Sequence, residues 1–356
     1  MRPKRLNMAM KMKRGANRFA LSYMAAIPAT MRALVQRGDG YAKTATGPLL
    51  EDAADWLELA TIPVPVVGEG QALVRLRRAA VNPSDIHFIK GEYGQPRVRG
   101  QAAGFEGCGD VVAGPDQLLG QRVAFAVGAG AWAQYAVVDA PACIPLHPAI
   151  SDNDGAGQIV NPMTARAMIG IAIEAGDAVV ITAAGSQLGK LMISLAKDMG
   201  VKTIATVRRD VNLDADVVLN TQSADFAAKA SAAMAELKPR VMLDAVCDQS
   251  SEVLFTLMPN RARWICFGKL STEFPALTQM GQLIFMGKRI EGFWLSQWFR
   301  DADPAAKIAA VTDVQTRFAD GRWRTDVAAE LPLDQVINGL ADALRQPDGK
   351  TIISFS

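Results

Sequence analysis

The stretch Ala178-Val179-Val180-Ile181-Thr182-Ala183-Ala184-Gly185-Ser186-Gln187-Leu188-Gly189, followed by the helix-like run 190–199, decides the fold. A short apolar, β-branched run enters a turn of small residues, and a helix begins at once. Such a junction turns backbone N–H groups and the positive end of a helix toward one point, which favours a bound phosphate. Against the G-x-G-x-x-G dinucleotide pattern, Ala184 and Ser186 stand where glycines are usual and only Gly189 matches. Taken alone, the turn fits an unliganded strand-to-helix connection as well as a cofactor site. Gln187 puts a long side chain in this turn and is expected to crowd a pyrophosphate there.

Working outward, strand-like runs at 178–182, 203–207, 217–219, 241–244 and 264–267 alternate with amphipathic helical windows. That alternation predicts an α/β, doubly wound parallel sheet between about 155 and 291. The second strand ends in Thr206-Val207-Arg208-Arg209, about 20 residues past the turn, where NAD-binding chains place an acid for the ribose hydroxyls. An acid there repels a 2′-phosphate, whereas a guanidinium grips it with paired, charge-assisted hydrogen bonds. NADPH is therefore the expected cofactor. Two alternatives stay open: Asp210 serving the ribose, and the arginines forming a solvated loop.

Before this sheet, residues 31–154 carry short β-branched runs at 72–76, 109–112, 122–126 and 134–138, separated by Gly and Pro. They read as a β-rich, partly barrel-like domain. The tail, 293–356, has helical windows at 304–318 and 333–345 and a last strand at 351–355. It is expected to return to the first domain. The expected organisation is thus an extension, 1–30, a first domain, 31–154, a nucleotide domain, 155–292, and the returning tail.

Composition narrows the function classes. With 356 residues, 50% of them hydrophobic, the chain can bury two cores. The net charge of +2 hides an asymmetry: the first 30 residues hold seven Lys or Arg and no acid, leaving 31 basic against 36 acidic groups. The body is mildly acidic, so no nucleic-acid partner is expected. Cys108, Cys143, Cys247 and Cys266 form no Cys-x-x-Cys pair, and His87 and His147 are the only histidines. Neither a metal site nor a disulfide framework is expected, and a Ser-His-Asp hydrolase is disfavoured. No run approaches the roughly 18 uninterrupted apolar residues of a membrane span. Residues 1–30 read first as a plain extension ahead of the strand-like Met31-Arg32-Ala33-Leu34-Val35, second as a mitochondrial transit peptide and last as a secretory signal. The location expected is cytoplasmic, or the mitochondrial matrix if the extension is a transit peptide.

Further motifs carry a resemblance. Ala80-Val81-Asn82-Pro83-Ser84-Asp85-Ile86, Gly91-Glu92-Tyr93-Gly94, Gly104-Phe105-Glu106-Gly107, Gly130-Ala131-Trp132 and Val160-Asn161-Pro162-Met163-Thr164-Ala165 precede the nucleotide turn, and Phe293-Trp294-Leu295-Ser296-Gln297-Trp298 follows it. Together they resemble the zinc-independent quinone oxidoreductase and enoyl reductase branch of the medium-chain dehydrogenase/reductases. The last motif is most similar to mitochondrial-type trans-2-enoyl-thioester reductases. Zinc-dependent relatives place a Cys near Asn82 and a His where Phe105 stands. The resemblance implies a Rossmann-type sheet inserted in a GroES-like catalytic domain, and a homodimer joined near the strand at 264–267. It also implies NADPH-dependent reduction of the C=C bond of a 2-enoyl thioester, carried by CoA or a carrier protein. A quinone or free-enone reductase on the same scaffold is the rival, and a non-catalytic NADPH-binding protein a more distant one.

The same resemblance implies the site. Tyr93 is the implied proton donor or substrate holder, the other reading being a loop aromatic over the cleft. Asn82 either caps its Asn-Pro turn or faces the substrate carbonyl. Asn161 and Thr164 open a helix, and Thr164 is placed to cap it or to touch the cofactor. Ala184, Gly185, Ser186, Gln187, Leu188 and Gly189 form the phosphate turn, with Arg208 and Arg209 at the 2′-phosphate. Phe267, Gly268, Phe293, Trp294 and Leu295 lie at the nicotinamide, while Trp132 and Trp294 wall the substrate pocket with Tyr93. Lys350 either reaches a cofactor phosphate or lies in solvent. Arg97, Arg99 and Arg300 are candidates for a basic mouth. Val246-Cys247-Asp248 replaces a Val-Gly-Gly and is expected to narrow the nicotinamide side. The segment between Arg209 and Leu219 looks shorter than in the enoyl reductases, which puts adenine contacts there in doubt.

Overall fold

The computed structural model describes residues 27–346 and 349–355, so most of the basic extension lies outside the described residues. Six strands, β1 (Ala178–Ile181), β2 (Lys202–Val207), β3 (Val217–Asn220), β4 (Val241–Asp244), β5 (Arg263–Cys266) and β6 (Arg289–Gly292), form one sheet in the order β3-β2-β1-β4-β5-β6, every pair parallel. Parallel strands need crossover helices, and these cover both faces. Alternation along each strand sorts the core. Val179, Ile181, Leu243 and Ile265 pack on one face with α1 (Val160–Ala175) and α2 (Gln187–Asp198). Val180, Ile204, Met242 and Trp264 pack on the other with α3 (Phe226–Leu237) and α4 (Gln249–Leu257). The order of strand addition reverses between β1 and β4, which opens a crevice at the carboxyl ends of those strands.

The first domain is organised around the 11-residue strand Gln71–Val81. Glu106–Ala113 lines one side of it. On the other side Tyr135–Asp139 pairs with its first half and Lys350–Ser354 with its second. The C-terminal strand thus enters the first domain's sheet, next to Val327–Pro332. Within the tail, Pro304–Ala319 packs Ala310, Val314 and Phe318 into the cluster built on α1 and α2 while Gln315 donates to the Pro145 carbonyl at 3.2 Å, and Val327–Pro332 and Lys350–Ser354 enter the first domain's sheet.

Trp132 corrects one expectation. It is fully buried in the first domain's core, with Nε1 donating to the Ala80 carbonyl at 3.2 Å, and it walls no pocket. Gly104 makes room for it: φ is +88°, and a Cβ there would lie 2.1 Å from the indole Cδ1. Among the described residues no helix is long and apolar enough to cross a membrane.

Candidate active site

The nucleotide turn is built by backbone and small side chains. Ser186 caps α2, its hydroxyl accepting from Gly189 N–H at 3.1 Å. A Cβ on Gly189 would meet the Ala184 carbonyl at 2.5 Å, so glycine lets the helix close on the turn. Gln187 and Leu188, in the first turn of this 12-residue helix, present N–H groups toward the crevice end. Ala184 is buried beneath the turn. The Gln187 side chain does not crowd the turn: its amide donates to the Arg324 carbonyl at 2.7 Å and accepts from Asp326 N–H at 3.1 Å. Arg208 and Arg209 follow β2 and are both exposed. Asp210 accepts from Asn220 at the end of β3, 2.9 Å away.

At the ends of β1, β4 and β5 one fully buried carboxylate, Asp244, gathers the chain. It accepts from the Thr182 hydroxyl at 2.6 Å, Val246 N–H at 2.9 Å, Cys247 N–H at 3.2 Å and the Trp264 indole at 2.7 Å. Sequence reasoning missed this hub, although an Asp closing an apolar strand is its signal. The hub fixes the loops that follow. A Cβ on Gly268 would lie 2.8 Å from the Ala245 carbonyl, so Gly268 admits a close backbone approach. Cys247 takes φ +59°, a left-handed conformation that favours glycine, and Asp248 is spent as the cap of α4. Phe293 N–H donates to the Cys266 carbonyl at 2.9 Å, carrying the chain from β6 to Trp294 and the helix Leu295–Asp301.

Tyr93 meets that helix from the other domain. The Trp294 indole donates to the Tyr93 phenol oxygen at 2.8 Å, with the rings 6.0 Å apart edge to face. Phe105 packs on Tyr93 with centroids 5.0 Å apart. Burial raises the phenol above its ordinary value, against hydrogen bonds from Trp294 and Ser296 that lower it, so the ring is a neutral acid at physiological pH. The preceding Glu92 pins the loop, since its buried carboxylate accepts from Thr46 N–H at 2.7 Å and Gly47 N–H at 3.1 Å and faces His87 Nδ1 at 3.1 Å. Glu92 too was missed from sequence.

Asn82, Glu106 and Lys350 form a buried cluster behind Tyr93. The Asn82 amide donates to Glu106 at 2.8 Å and accepts from the Lys350 ammonium, so both ends of the side chain are occupied. Glu106 also accepts from Ile159 and Val160 N–H, at 3.0 and 2.8 Å, where α1 begins. Lys350 is 5% exposed, which corrects both the phosphate and the solvent expectations for it. Asp85 accepts from Asn82 and Phe105 N–H at 2.7 and 2.9 Å, and burial pushes its carboxyl up to about 7. Thr164 lies buried in the second turn of α1 and is not a cap, and Asn161 is the second residue of that helix. Of the three candidate mouth arginines, Arg97 donates to the Ile89 carbonyl at 2.9 Å and Arg99 pairs with Asp39 at 3.3 Å. Arg300 stacks over Trp294 at 4.9 Å.

The chain matches the family models for the alcohol dehydrogenase GroES-like domain over residues 68–149 and for zinc-binding dehydrogenases over residues 188–311. A solved Mesorhizobium loti structure, provisionally named an NADPH:quinone reductase, is 46% identical, with a TM-score of 0.89, over 93% of this chain and 100% of that one. This chain belongs to the medium-chain dehydrogenase/reductase superfamily. Within it the chain falls in the zinc-independent quinone and enoyl reductase branch, and it is an oxidoreductase. Human mitochondrial enoyl-[acyl-carrier-protein] reductase is 27% identical over 92% of this chain and 89% of that protein. The mitochondrial 2-enoyl thioester reductase heterodimer of Candida tropicalis shares the fold, with 20% identity and a TM-score of 0.73 over 92% of this chain and 100% of that one.

Proposed function

We propose that this protein uses NADPH to reduce the C=C bond of a 2-enoyl thioester, with hydride reaching the β-carbon and a proton the α-carbon. The observation that carries this reading is the Trp294 to Tyr93 hydrogen bond, which joins the strand-end motif of one domain to the candidate acid of the other. The residues present fit the dinucleotide. Capped by Ser186, α2 offers the N–H groups of Gln187 and Leu188 to a pyrophosphate, Gly189 lets the helix approach, and the exposed Arg208 and Arg209 stand where a 2′-phosphate is gripped. Backbone around Gly268 and from Phe293 to Leu295 would hold the carboxamide end.

NADPH, when bound, supplies the hydride. Everything else falls to this chain's side chains. Because the Trp294 indole donates to the Tyr93 oxygen, it occupies a lone pair and leaves the phenol's own proton available to the α-carbon. Tyr93 is neutral before the reaction, and the Trp294 and Ser296 donors stabilise the oxygen once its proton has left. Asn82 acts from behind as part of the buried support, since both amide ends are bonded within the protein.

A quinone or free-enone reductase is favoured by the 46% identical relative and its name. A homodimer is supported by the open edge of the sheet at β6, where Ile290 is exposed, and by the exposed Phe274, Ile284 and Phe285 nearby in sequence. The strand at 264–267 cannot make that join, because β5 lies inside the sheet between β4 and β6.

The discriminating assay follows NADPH and NADH consumption with 2-enoyl-CoA thioesters of increasing length and with a quinone. Turnover of thioesters with NADPH preferred supports the proposal. Turnover of the quinone alone would replace it with the second reading.

A further inference from the structure

The Asp244 hub leaves two cysteines side by side at the carboxyl edge of the sheet. Cys266 ends β5 and pairs in register with Asp244 of β4, and Cys247 lies three residues beyond Asp244. The Cys247 chain turns back through its left-handed φ, and the sulfur comes to 3.3 Å from the Gly268 carbonyl, two residues past Cys266, where the two cysteine side chains interact. Both residues are partly exposed, whereas Cys108 and Cys143 are buried in the first domain. A left-handed cysteine costs strain that a glycine would not. Nothing in the proposed reduction uses either thiol.

We propose that Cys247 and Cys266 are a reversible oxidation site, at which hydrogen peroxide converts the neighbouring thiols to a disulfide and weakens cofactor binding at the adjoining Gly268 loop. The location of the nicotinamide end rests on the function proposed above; the disulfide itself does not. The chemistry follows from the pair. The neighbouring Cys247 thiol holds the Cys266 thiol below its ordinary range, and Cys247 is correspondingly raised, so Cys266 is the nucleophile. When Cys266 is neutral, the Cys247 proton is free to point at the Gly268 carbonyl; when Cys266 ionises, that proton turns to it.

The Cys266 thiolate attacks one oxygen of hydrogen peroxide, the O–O bond breaks, and the departing oxygen leaves as water after taking a proton. A sulfenic acid remains on Cys266. The Cys247 sulfur then displaces that hydroxyl: the S–S bond forms, the S–O bond breaks, and the Cys247 proton leaves with the hydroxyl as a second water. Two sulfurs are oxidised and one peroxide is reduced. The Gly268 carbonyl loses its thiol donor, and because Gly268 is packed tightly on Ala245, moving the sulfur moves the Phe267-Gly268 backbone with it.

The test treats the full chain with hydrogen peroxide, alkylates it, maps the peptides by mass, and measures NADPH binding in parallel. A peptide pair cross-linked through Cys247 and Cys266, with NADPH affinity lower on the order of tenfold and restored by dithiothreitol, is the expected result. Cys247→Gly suits the left-handed backbone and should fold while losing both responses, and Cys266→Ser should lose them too. Recovery of the two cysteines unlinked after oxidation, or an unchanged NADPH affinity once they are linked, overturns the proposal. Reduced protein that binds no NADPH would instead sink the functional reading, and the peptide map would still decide whether the disulfide forms.

Discussion

At the nucleotide end of the cleft the charged groups, Arg208 and Arg209, lie exposed on a loop, whereas at the reducing end the polar groups are buried and already bonded to one another. The difference follows from what each end does. A phosphate brings its own charge and can be met by guanidinium groups at the surface. A proton donor has to be aimed before the substrate arrives, and aiming requires partners fixed by packing. Substitutions at either end should separate the two roles.

The largest effect is expected in the buried support. Lys350→Met removes the cation beside Asn82 and Glu106 and leaves a buried carboxylate without it. A loss of about 3–5 kcal/mol in stability should appear in urea unfolding. A loss below about 1 kcal/mol, in the range of exposed ion pairs, would mean that the cluster is not a support.

Next comes the acid. Tyr93→Phe should lower kcat by about 100-fold with NADPH affinity unchanged, since the ring still packs on Phe105 and only the hydroxyl is lost. Equal activity in the variant would reduce Tyr93 to a wall of the pocket. At the open end, replacing Arg208 and Arg209 together by Ala should lower the NADPH-over-NADH ratio of kcat/KM by about 30-fold, near 2 kcal/mol, and leave thermal stability almost untouched. A ratio that stays put would move the 2′-phosphate elsewhere.

A pH dependence is also expected. The Asp85 carboxyl sits at about 7 in the folded protein against an ordinary value of 3.8, so folding favours its protonated form. The stability it contributes is full below about pH 4 and is lost as pH rises through about 7. Between pH 5 and pH 8 the urea midpoint should fall by an amount worth roughly 2–3 kcal/mol, most of it before pH 7. Asp85→Asn should flatten that slope even while lowering the midpoint itself.

Much of the nucleotide sheet was legible in the sequence because its strands are short, β-branched and separated by helical windows. The expected run 241–244 is β4 itself, and 203–207 lies within β2. Less visible were elements with weak periodicity: β6, the strand Val327–Pro332 and the helix Leu295–Asp301. β6 and Val327–Pro332 have no fully buried residues, so their patterns lack the apolar alternation that marks a strand. In the site, motif residues could be found singly, but their partnerships could not. Lys350 meets Asn82 across 268 positions of sequence and Trp294 meets Tyr93 across 201. Trp132 was misjudged for the same reason, because only the fold shows that Gly104 opens a slot for its ring inside the core. Cys247 read as an obstruction in the cleft; its contact with Cys266 depends on the register of β4 against β5.

The isotope position in the product of a short 2-enoyl-CoA reports directly where hydride and proton arrive. With NADPH deuterated at the transferable position, in ordinary water, the saturated thioester should carry deuterium at the β-carbon. With ordinary NADPH in heavy water it should carry deuterium at the α-carbon, at a rate that collapses in Tyr93→Phe. Deuterium appearing in the reverse positions, or no reduction of the thioester at all, would contradict a Tyr93-assisted, NADPH-dependent reduction of the double bond.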